Sequence, residues 1–157
     1  MNYWLMKSEP TAFGIDDLKN APAQTDHWDG VRNYQARNMM RDAMKKGDQV
    51  FFYHSNCDVP GIVGLMEIVR EGYPDPTAFD PENRYFDEKS DPANPRWYMV
   101  DVQYVRHTER VIPLAELKEH AKLSDMPLVR KGNRLSIMPV SAAEWRYILS
   151  LEKKQAR

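Results

Sequence analysis

The chain is organised around one segment that combines aromatic rings with planar polar side chains: Trp28-Asp29-Gly30-Val31-Arg32-Asn33-Tyr34-Gln35-Ala36-Arg37-Asn38. Asp29-Gly30 is a turn signal, and Asn33 is expected to cap a helix that runs towards Met44. Arg37 and Arg41 are four residues apart and therefore share one face of that helix. Each residue taken alone is also explained by core packing or by solvation. The run as a whole favours a binding site.

Polar side chains also end the predicted strands on either side of this segment. Lys7-Ser8-Glu9 follows an apolar strand, and Tyr53-His54-Ser55 closes an aromatic one. Arg134 and Ser136 alternate onto one side of a last strand. Binding groups are commonly placed at the ends of rigid elements. The residues that we expect to converge on one cavity are Ser8, Trp28, Asn33, Tyr53 and Arg134.

Four segments together resemble a known family. Residues 30–38 resemble the signature of the EVE domain family, a branch of the PUA-like fold, and residues 3–10, 51–56 and 134–139 match the same pattern in order. The resemblance covers nearly the whole chain. It implies a PUA-like β-barrel with flanking helices, in a single domain over residues 1–157, and a pocket that reads modified bases in nucleic acid. It implies no enzymatic activity.

The candidate site is assigned roles that fit base reading. Trp28 and Tyr53 are expected to form aromatic walls, because a base stacks on an aromatic ring. Asn33 and Ser8 are expected to bond the base edge, and arginines to hold the flanking phosphates. The full set of candidate nucleic-acid-binding and base-binding residues is Lys7, Ser8, Trp28, Arg32, Asn33, Tyr34, Arg37, Tyr53, His54, Ser55, Arg134 and Ser136.

The residues also predict the fold class. Many short strands with a few helices predict an α+β, barrel-like fold. Gly64 is expected to mark a bulge or a close backbone approach, and Ser141 to open the last helix in a capping box with Glu144. A polar, proline-punctuated loop is expected at about 72–96, as a solvated connector; the alternative is an insertion that covers one side of the barrel. The predicted strands are 3–7, 49–55, 62–69, 97–105 and 134–138, and the predicted helices are 15–19, 33–44, 114–122 and 141–152.

Composition and charge set limits on function. The chain has 157 residues, of which 42% are hydrophobic and 29% charged, so it is expected to fold on its own. The net charge of −1 gives no sign of a nucleic-acid partner by itself, but residues 28–47 carry five basic and two acidic side chains, whereas residues 75–101 carry seven acidic and three basic ones. A near-neutral protein with segregated charge can present one basic face to phosphates.

Other classes of function are disfavoured by what the sequence lacks. No apolar run is long enough for a membrane span, and the single cysteine, Cys57, fits a reducing compartment, so we expect a cytoplasmic protein. His54 and Cys57 have metal-like spacing, but no second pair follows, so a metal site is not expected. The seven glycines stand apart, so no phosphate-binding loop is expected either. We therefore expect no cofactor.

Three functions remain open from the sequence. The first is a non-catalytic module that binds a modified base, cytosine or adenine, in DNA or RNA. The alternative is a small hydrolase acting on a modified nucleobase or nucleoside, with Lys7, Glu9 and Tyr53 as acid–base groups. A protein-interaction module that uses the basic face is the third. The sequence leaves open the base modification and the oligomeric state.

Overall fold

The computed structural model describes residues 1–154, which form one mixed sheet with short helices, so the predicted α+β class is confirmed. The strands are β1 Tyr3–Ser8, β2 Thr25–Trp28, β3 Gln49–His54, β4 Gly61–Pro74, β5 Tyr98–Pro113 and β6 Ile137–Val140. The α-helices are α1 Pro10–Phe13, α2 Ile15–Lys19, α3 Tyr34–Asn38, α4 Leu114–Leu117 and α5 Ala142–Leu151. A π-helical turn, Met39–Ala43, continues α3. The 3-10 turns are Pro22–Gln24, Pro76–Phe79, Ala121–Leu123 and Pro127–Val129.

The sheet is open at both edges. Its strand order is β2-β5-β4-β3-β1-β6, with β1 parallel to β3 and the other pairs antiparallel. The edge strands β2 and β6 have four residues each and do not pair with each other. The closed barrel that was expected is therefore not confirmed within residues 1–154. None of the helices in this part of the chain is both long and apolar enough to cross a membrane.

Alternation along the strands divides the core between the two faces of the sheet, because successive side chains point to opposite sides. Phe52 belongs to the cluster that packs under α2 and α3, together with Trp28 and Met40. Its neighbours Phe51 and Tyr53 belong to the cluster that packs under α4 and α5, together with Trp145. Each face is thus covered by its own set of helices, and a side chain's parity along β1 or β3 decides which side it reaches.

The predicted hairpin and its glycine are confirmed. β3 and β4 pair antiparallel, and the register shifts both between Phe52 and Tyr53 and between Ile62 and Gly64. A Cβ atom on Gly64 would lie 1.9 Å from the Ile15 side chain and 2.7 Å from the Arg106 carbonyl oxygen. Only glycine fits there, because α2 packs directly on the strand.

Several element boundaries differ from the prediction. Residues 25–28 were not among the predicted strands but form β2, which is polar because it is an edge strand paired only with β5. β5 continues past residue 105 to Pro113, and α4 ends at Leu117, well before residue 122. The last strand begins at Ile137, so residues 134–136 lie in the preceding loop. For β2 and β5, pairing within the sheet overrides the local pattern.

The central helix begins as predicted and ends differently. The Asn33 side-chain Oδ1 accepts a hydrogen bond from the Ala36 N–H at 3.0 Å, which confirms the N-cap. The regular helix stops at Asn38, and the chain widens into the π-helical turn before Met44. Such turns are rare and often occur near functional sites.

The capping box of the last helix gives a stability test. Ser141 Oγ accepts from the Glu144 N–H at 3.1 Å, and the Glu144 carboxylate accepts from the Ser141 N–H at 2.9 Å. Ser141→Ala should therefore lower the free energy of unfolding by about 1 kcal/mol. Urea denaturation measures this change. Ser150→Ala, at an exposed position inside the same helix, is the matched control: it removes a hydrogen bond to the Tyr147 carbonyl but gains the higher helix propensity of alanine, so it should not lower the free energy of unfolding. Equal midpoints for the wild type and Ser141→Ala would contradict the box.

Candidate functional site

A cavity of about 670 Å³ opens where β1 and β2 end. Because β1 and β3 are parallel neighbours, their carboxyl ends lie side by side at one end of the sheet. The turn after β2 lies at the same end. The loop that precedes β6 lies beside β1, since the Lys7 N–H donates to the Ser136 carbonyl at 2.8 Å, and it also lines the cavity. The residues that line the cavity are Lys7, Ser8, Glu9, Ala12, Phe13, Asp26, His27, Trp28, Asp29, Gly30, Val31, Arg32, Ser55, Arg84, Tyr85, Arg134, Leu135 and Ser136.

The structure brings together most of the predicted site. Four separated segments of the chain contribute to the same wall, as expected from the positions at element ends. The Ser55 N–H donates to the Ser8 carbonyl at 3.0 Å, which joins two of these segments directly. The predicted residues that line the cavity are Lys7, Ser8, Trp28, Arg32, Ser55, Arg134 and Ser136.

Tyr53 lies on the other face of the sheet, so the expected pairing of Trp28 and Tyr53 as two walls of one cage is wrong. Tyr53 is 2% exposed and packs in the cluster of α4 and α5. Burial, with a smaller contribution from Cys57, raises the pKa of its phenol to about 12. The physical reason is parity, since Phe52 takes the cavity side of β3. The hydrolase alternative needed Tyr53 beside Glu9, whose carboxylate instead accepts from Asn56 at 3.0 Å.

His54 has a structural hydrogen bond. Its Nε2 accepts from the Ile15 N–H at 3.1 Å, and its ring packs edge-on against Phe52. Burial lowers the pKa of the imidazole, which favours the neutral ring that this hydrogen bond requires. His54 therefore connects α2 to β3 and lies outside the cavity lining.

Asn33, Tyr34 and Arg37 lie outside the cavity. The Asn33 amide oxygen is used as the helix cap, so Asn33 does not line the cavity as expected. Tyr34 is 51% exposed and stacks on Trp97 with 4.8 Å between ring centroids. The Arg37 guanidinium lies 4.9 Å from the Tyr34 ring centroid and donates to the Arg96 carbonyl at 2.7 Å. These two residues and Trp97 form a surface patch, which we call the Tyr34 stack.

Arg32 is a structural clamp, although it was expected to hold a phosphate. Its Nε and Nη2 donate to the Tyr85 carbonyl at 3.1 and 2.7 Å, and Nη1 donates to the Val31 carbonyl at 3.1 Å. Nη1 also donates to Asp75 Oδ2 at 3.1 Å, and Nη2 to Thr77 Oγ1 at 3.1 Å. These bonds occupy all the donors of a guanidinium, so none is left for a phosphate.

The carboxylate of Asp75 is the fixed point of this clamp. It is fully buried and accepts from the Gly30 N–H, the Thr77 N–H and hydroxyl, and Arg32. Burial alone would raise the pKa of Asp75, but these hydrogen bonds outweigh burial and lower the pKa. The clamp ties the loop after β4 to the turn after β2.

Tyr85 was missed by sequence reasoning, because residues 72–96 were expected to be a solvated connector. The clamp holds its carbonyl, and its ring lies over Gly30: a Cβ atom there would be 2.5 Å from Tyr85. Gly30 also has φ +74°, where a side chain is strained. Arg84 lies over the same ring, 4.8 Å from its centroid. The sequence signal was the pair Arg84-Tyr85, a cation and an aromatic ring inside an acidic loop.

The aromatic walls of the cavity are therefore Trp28, Phe13 and Tyr85. Trp28 is 7% exposed and packs edge-on against Phe52 and Phe13, with centroid distances of 5.3 and 6.1 Å. It is both a core residue and part of the cavity wall. This packing fixes the orientation of the ring that faces the cavity.

The cavity carries charges of both signs. Arg84 and Arg134 contribute cations, and Asp29 contributes a carboxylate near the turn. Lys7 also lines the cavity, but its Nζ lies 5.6 Å from the centroid of the Tyr53 ring. Burial lowers the pKa of Lys7 and raises the pKa of Asp29, in each case by disfavouring the charged form. Nowhere in residues 1–154 do three or more His, Cys, Asp or Glu side chains gather as a metal site would require.

Comparisons with known proteins find similarity in sequence and in fold over nearly the whole chain. The model of the EVE domain matches residues 2–151. Thymocyte nuclear protein 1 of Homo sapiens is 51% identical, over 98% of this chain and 75% of the relative. The crystal structure of human THYN1 protein in complex with 5-methylcytosine-containing DNA is 50% identical, covers 99% of this chain and all of that chain, and superposes with a TM-score of 0.95.

A bacterial structure is similar to the same extent. A protein from Pseudomonas syringae is 49% identical over 96% of this chain and 99% of that chain, with a TM-score of 0.91. These matches confirm the resemblance that the four segments carried. They also correct one expectation: the cytoplasmic assignment is wrong, because the human relative is named a nuclear protein. A single cysteine cannot separate one reducing compartment from another.

The Asp75 clamp gives a pH-dependent prediction. The folded pKa of Asp75 lies below its ordinary value of 3.8, so its stabilising contribution is present above that pH and is lost as the pH falls through the folded pKa. Asp75→Asn should lower the free energy of unfolding at pH 7 by about 3 kcal/mol, because Arg32 loses its partner. Urea denaturation at several pH values measures the difference.

The exposed Asp125→Asn variant is the control for this measurement and should leave the free energy of unfolding unchanged. The difference between the wild type and Asp75→Asn should shrink below pH 3.8. A constant difference down to pH 2.5 would contradict the role of the ionised carboxylate.

Proposed function

The chain belongs to the EVE domain family, and we propose that it is a non-catalytic module that binds one modified base of a nucleic acid in the cavity at the ends of β1 and β2. The observation that carries this proposal is the cavity, in which aromatic walls lie beside exposed cations at the ends of β1 and β2. The human neighbour was crystallised with DNA that contains 5-methylcytosine. That modified base is therefore the first ligand to test.

The size and walls of the cavity suit a base. Its volume of about 670 Å³ lies within the usual range for small-ligand pockets. A base that enters between Trp28 and Tyr85 gains roughly 1–3 kcal/mol from stacking. This gain offsets the cost of extruding the base from a duplex, which is a few kcal/mol. The proposed walls are the two rings that the core and the clamp hold in place.

The nucleotides on either side of the bound base have two places on the protein surface to contact. Arg84 and Arg134 are exposed at the cavity and are available to phosphates. The Tyr34 stack lies beyond the clamp, since the Arg32 guanidinium is 5.4 Å from the Trp97 ring centroid and 5.6 Å from that of Tyr85. Its exposed ring and the Arg37 guanidinium suit a base or a phosphate next to the extruded nucleotide.

Two kinds of variant separate recognition of the modified base from contact with the phosphates. Tyr85→Ala removes a wall but keeps the backbone carbonyl that the clamp needs, so it should reduce the preference for 5-methylcytosine over cytosine. Arg134→Ala should weaken binding to both bases equally and lower the salt slope by about 1, because it removes one phosphate contact. Fluorescence anisotropy with matched oligonucleotides at several salt concentrations measures both effects.

Lys131→Ala, on the exposed turn beyond the cavity lining, is the matched control for charge. It should leave affinity and preference close to those of the wild type. The proposal fails if the wild type binds oligonucleotides with and without 5-methylcytosine equally. If Tyr85→Ala weakens binding to oligonucleotides with and without 5-methylcytosine by the same factor, Tyr85 does not recognise the methyl group.

A further inference from the structure

One carboxylate in the cavity has no role in the fold described above. Asp29 lies between the wall residue Trp28 and the clamped Gly30, and its side chain is 32% exposed. It accepts from its own backbone N–H. Within residues 1–154, its ion-pair partner is the His27 ring, with 3.5 Å between Nε2 and Oδ2.

The other carboxylates of the cavity are already engaged. Asp26 Oδ1 accepts from the His27 N–H at 2.8 Å, and Glu9 accepts from the Asn56 side-chain amide at 3.0 Å.

The Asp29 carboxylate accepts from its own backbone N–H and lies 3.5 Å from His27 Nε2, so within residues 1–154 no other residue donates a hydrogen bond to it. A half-buried carboxylate with so few donors is costly to keep, unless a ligand supplies another. Of these three carboxylates, Asp29 is the one that lies between the Trp28 wall and Gly30, against which the Tyr85 ring packs, and its remaining lone pairs can accept from a ligand.

We propose that Asp29 accepts a hydrogen bond from the exocyclic amino group of the bound base and so makes the cavity specific for 5-methylcytosine over thymine. This inference rests on the proposed function, because it assigns the base edge that the cavity reads. Asp29 was not among the candidate base-binding residues that the sequence predicted.

The chemistry of the two bases makes the carboxylate decisive. 5-Methylcytosine and thymine both carry a methyl group at C5, so the shape of the cavity cannot separate them at that position. Cytosine presents an amino donor at position 4, whereas thymine presents a carbonyl acceptor there. An ionised carboxylate only accepts. Thymine would therefore set acceptor against acceptor and leave both groups unpaired.

The test compares matched single-stranded oligonucleotides that differ in one central base, 5-methylcytosine or thymine, at pH 8. Single strands remove the cost of extruding the base from a duplex. At pH 8 the Asp29 carboxyl is ionised, because the pH is well above the ordinary pKa of 3.8, which burial raises. The wild type should bind the 5-methylcytosine strand roughly tenfold more tightly. Asp29→Asn should reduce that ratio to about one, because an amide both accepts and donates.

Asp26→Asn is the control, since it removes an equal charge from the same cavity and should keep the wild-type ratio. Asp29→Asn with an unchanged ratio and retained affinity for 5-methylcytosine overturns the inference and leaves the proposed function standing. Equal wild-type affinities for 5-methylcytosine and thymine overturn it whether or not the variant folds. A wild type that does not prefer 5-methylcytosine to cytosine overturns the proposed function instead.

Discussion

The buried carboxylate of Asp75 is the constraint on which the cavity depends. It gathers Arg32, the Gly30 N–H and Thr77 around one charge, and Arg32 in turn holds the Tyr85 carbonyl. A charge taken out of water is tolerated only when donors satisfy it, so these partners are fixed together. The clamp converts an acidic, proline-rich loop into one wall of the cavity.

The second constraint is the parity of the strands. Because β1 and β3 run parallel, residues Ser8 and Ser55 meet at one edge of the sheet, while Tyr53 is committed to the opposite core. The cavity therefore draws its aromatic rings from a strand end, a short helix and the clamped loop, as Trp28, Phe13 and Tyr85. Rigid packing behind each ring is what shape-based discrimination of a base requires.

The sequence predicted the parts of the site that local chemistry determines. The cap at Asn33, the capping box at Ser141 and the close approach at Gly64 follow from residue type and spacing, and the structure confirms them. The placement of Tyr53, the clamping by Arg32 and the wall at Tyr85 depend on which faces and loops meet in three dimensions. Asp75 and Arg32 are 43 positions apart in the sequence, and no periodic pattern predicts that they form a buried contact.

The most direct measurement of the central claim is a crystal structure of this chain with a short single-stranded oligonucleotide that contains one 5-methylcytosine. The account predicts the modified base inside the cavity, between Trp28 and Tyr85, with its amino group at the Asp29 carboxylate. An empty cavity, with the oligonucleotide bound elsewhere on the surface of the protein, would contradict it.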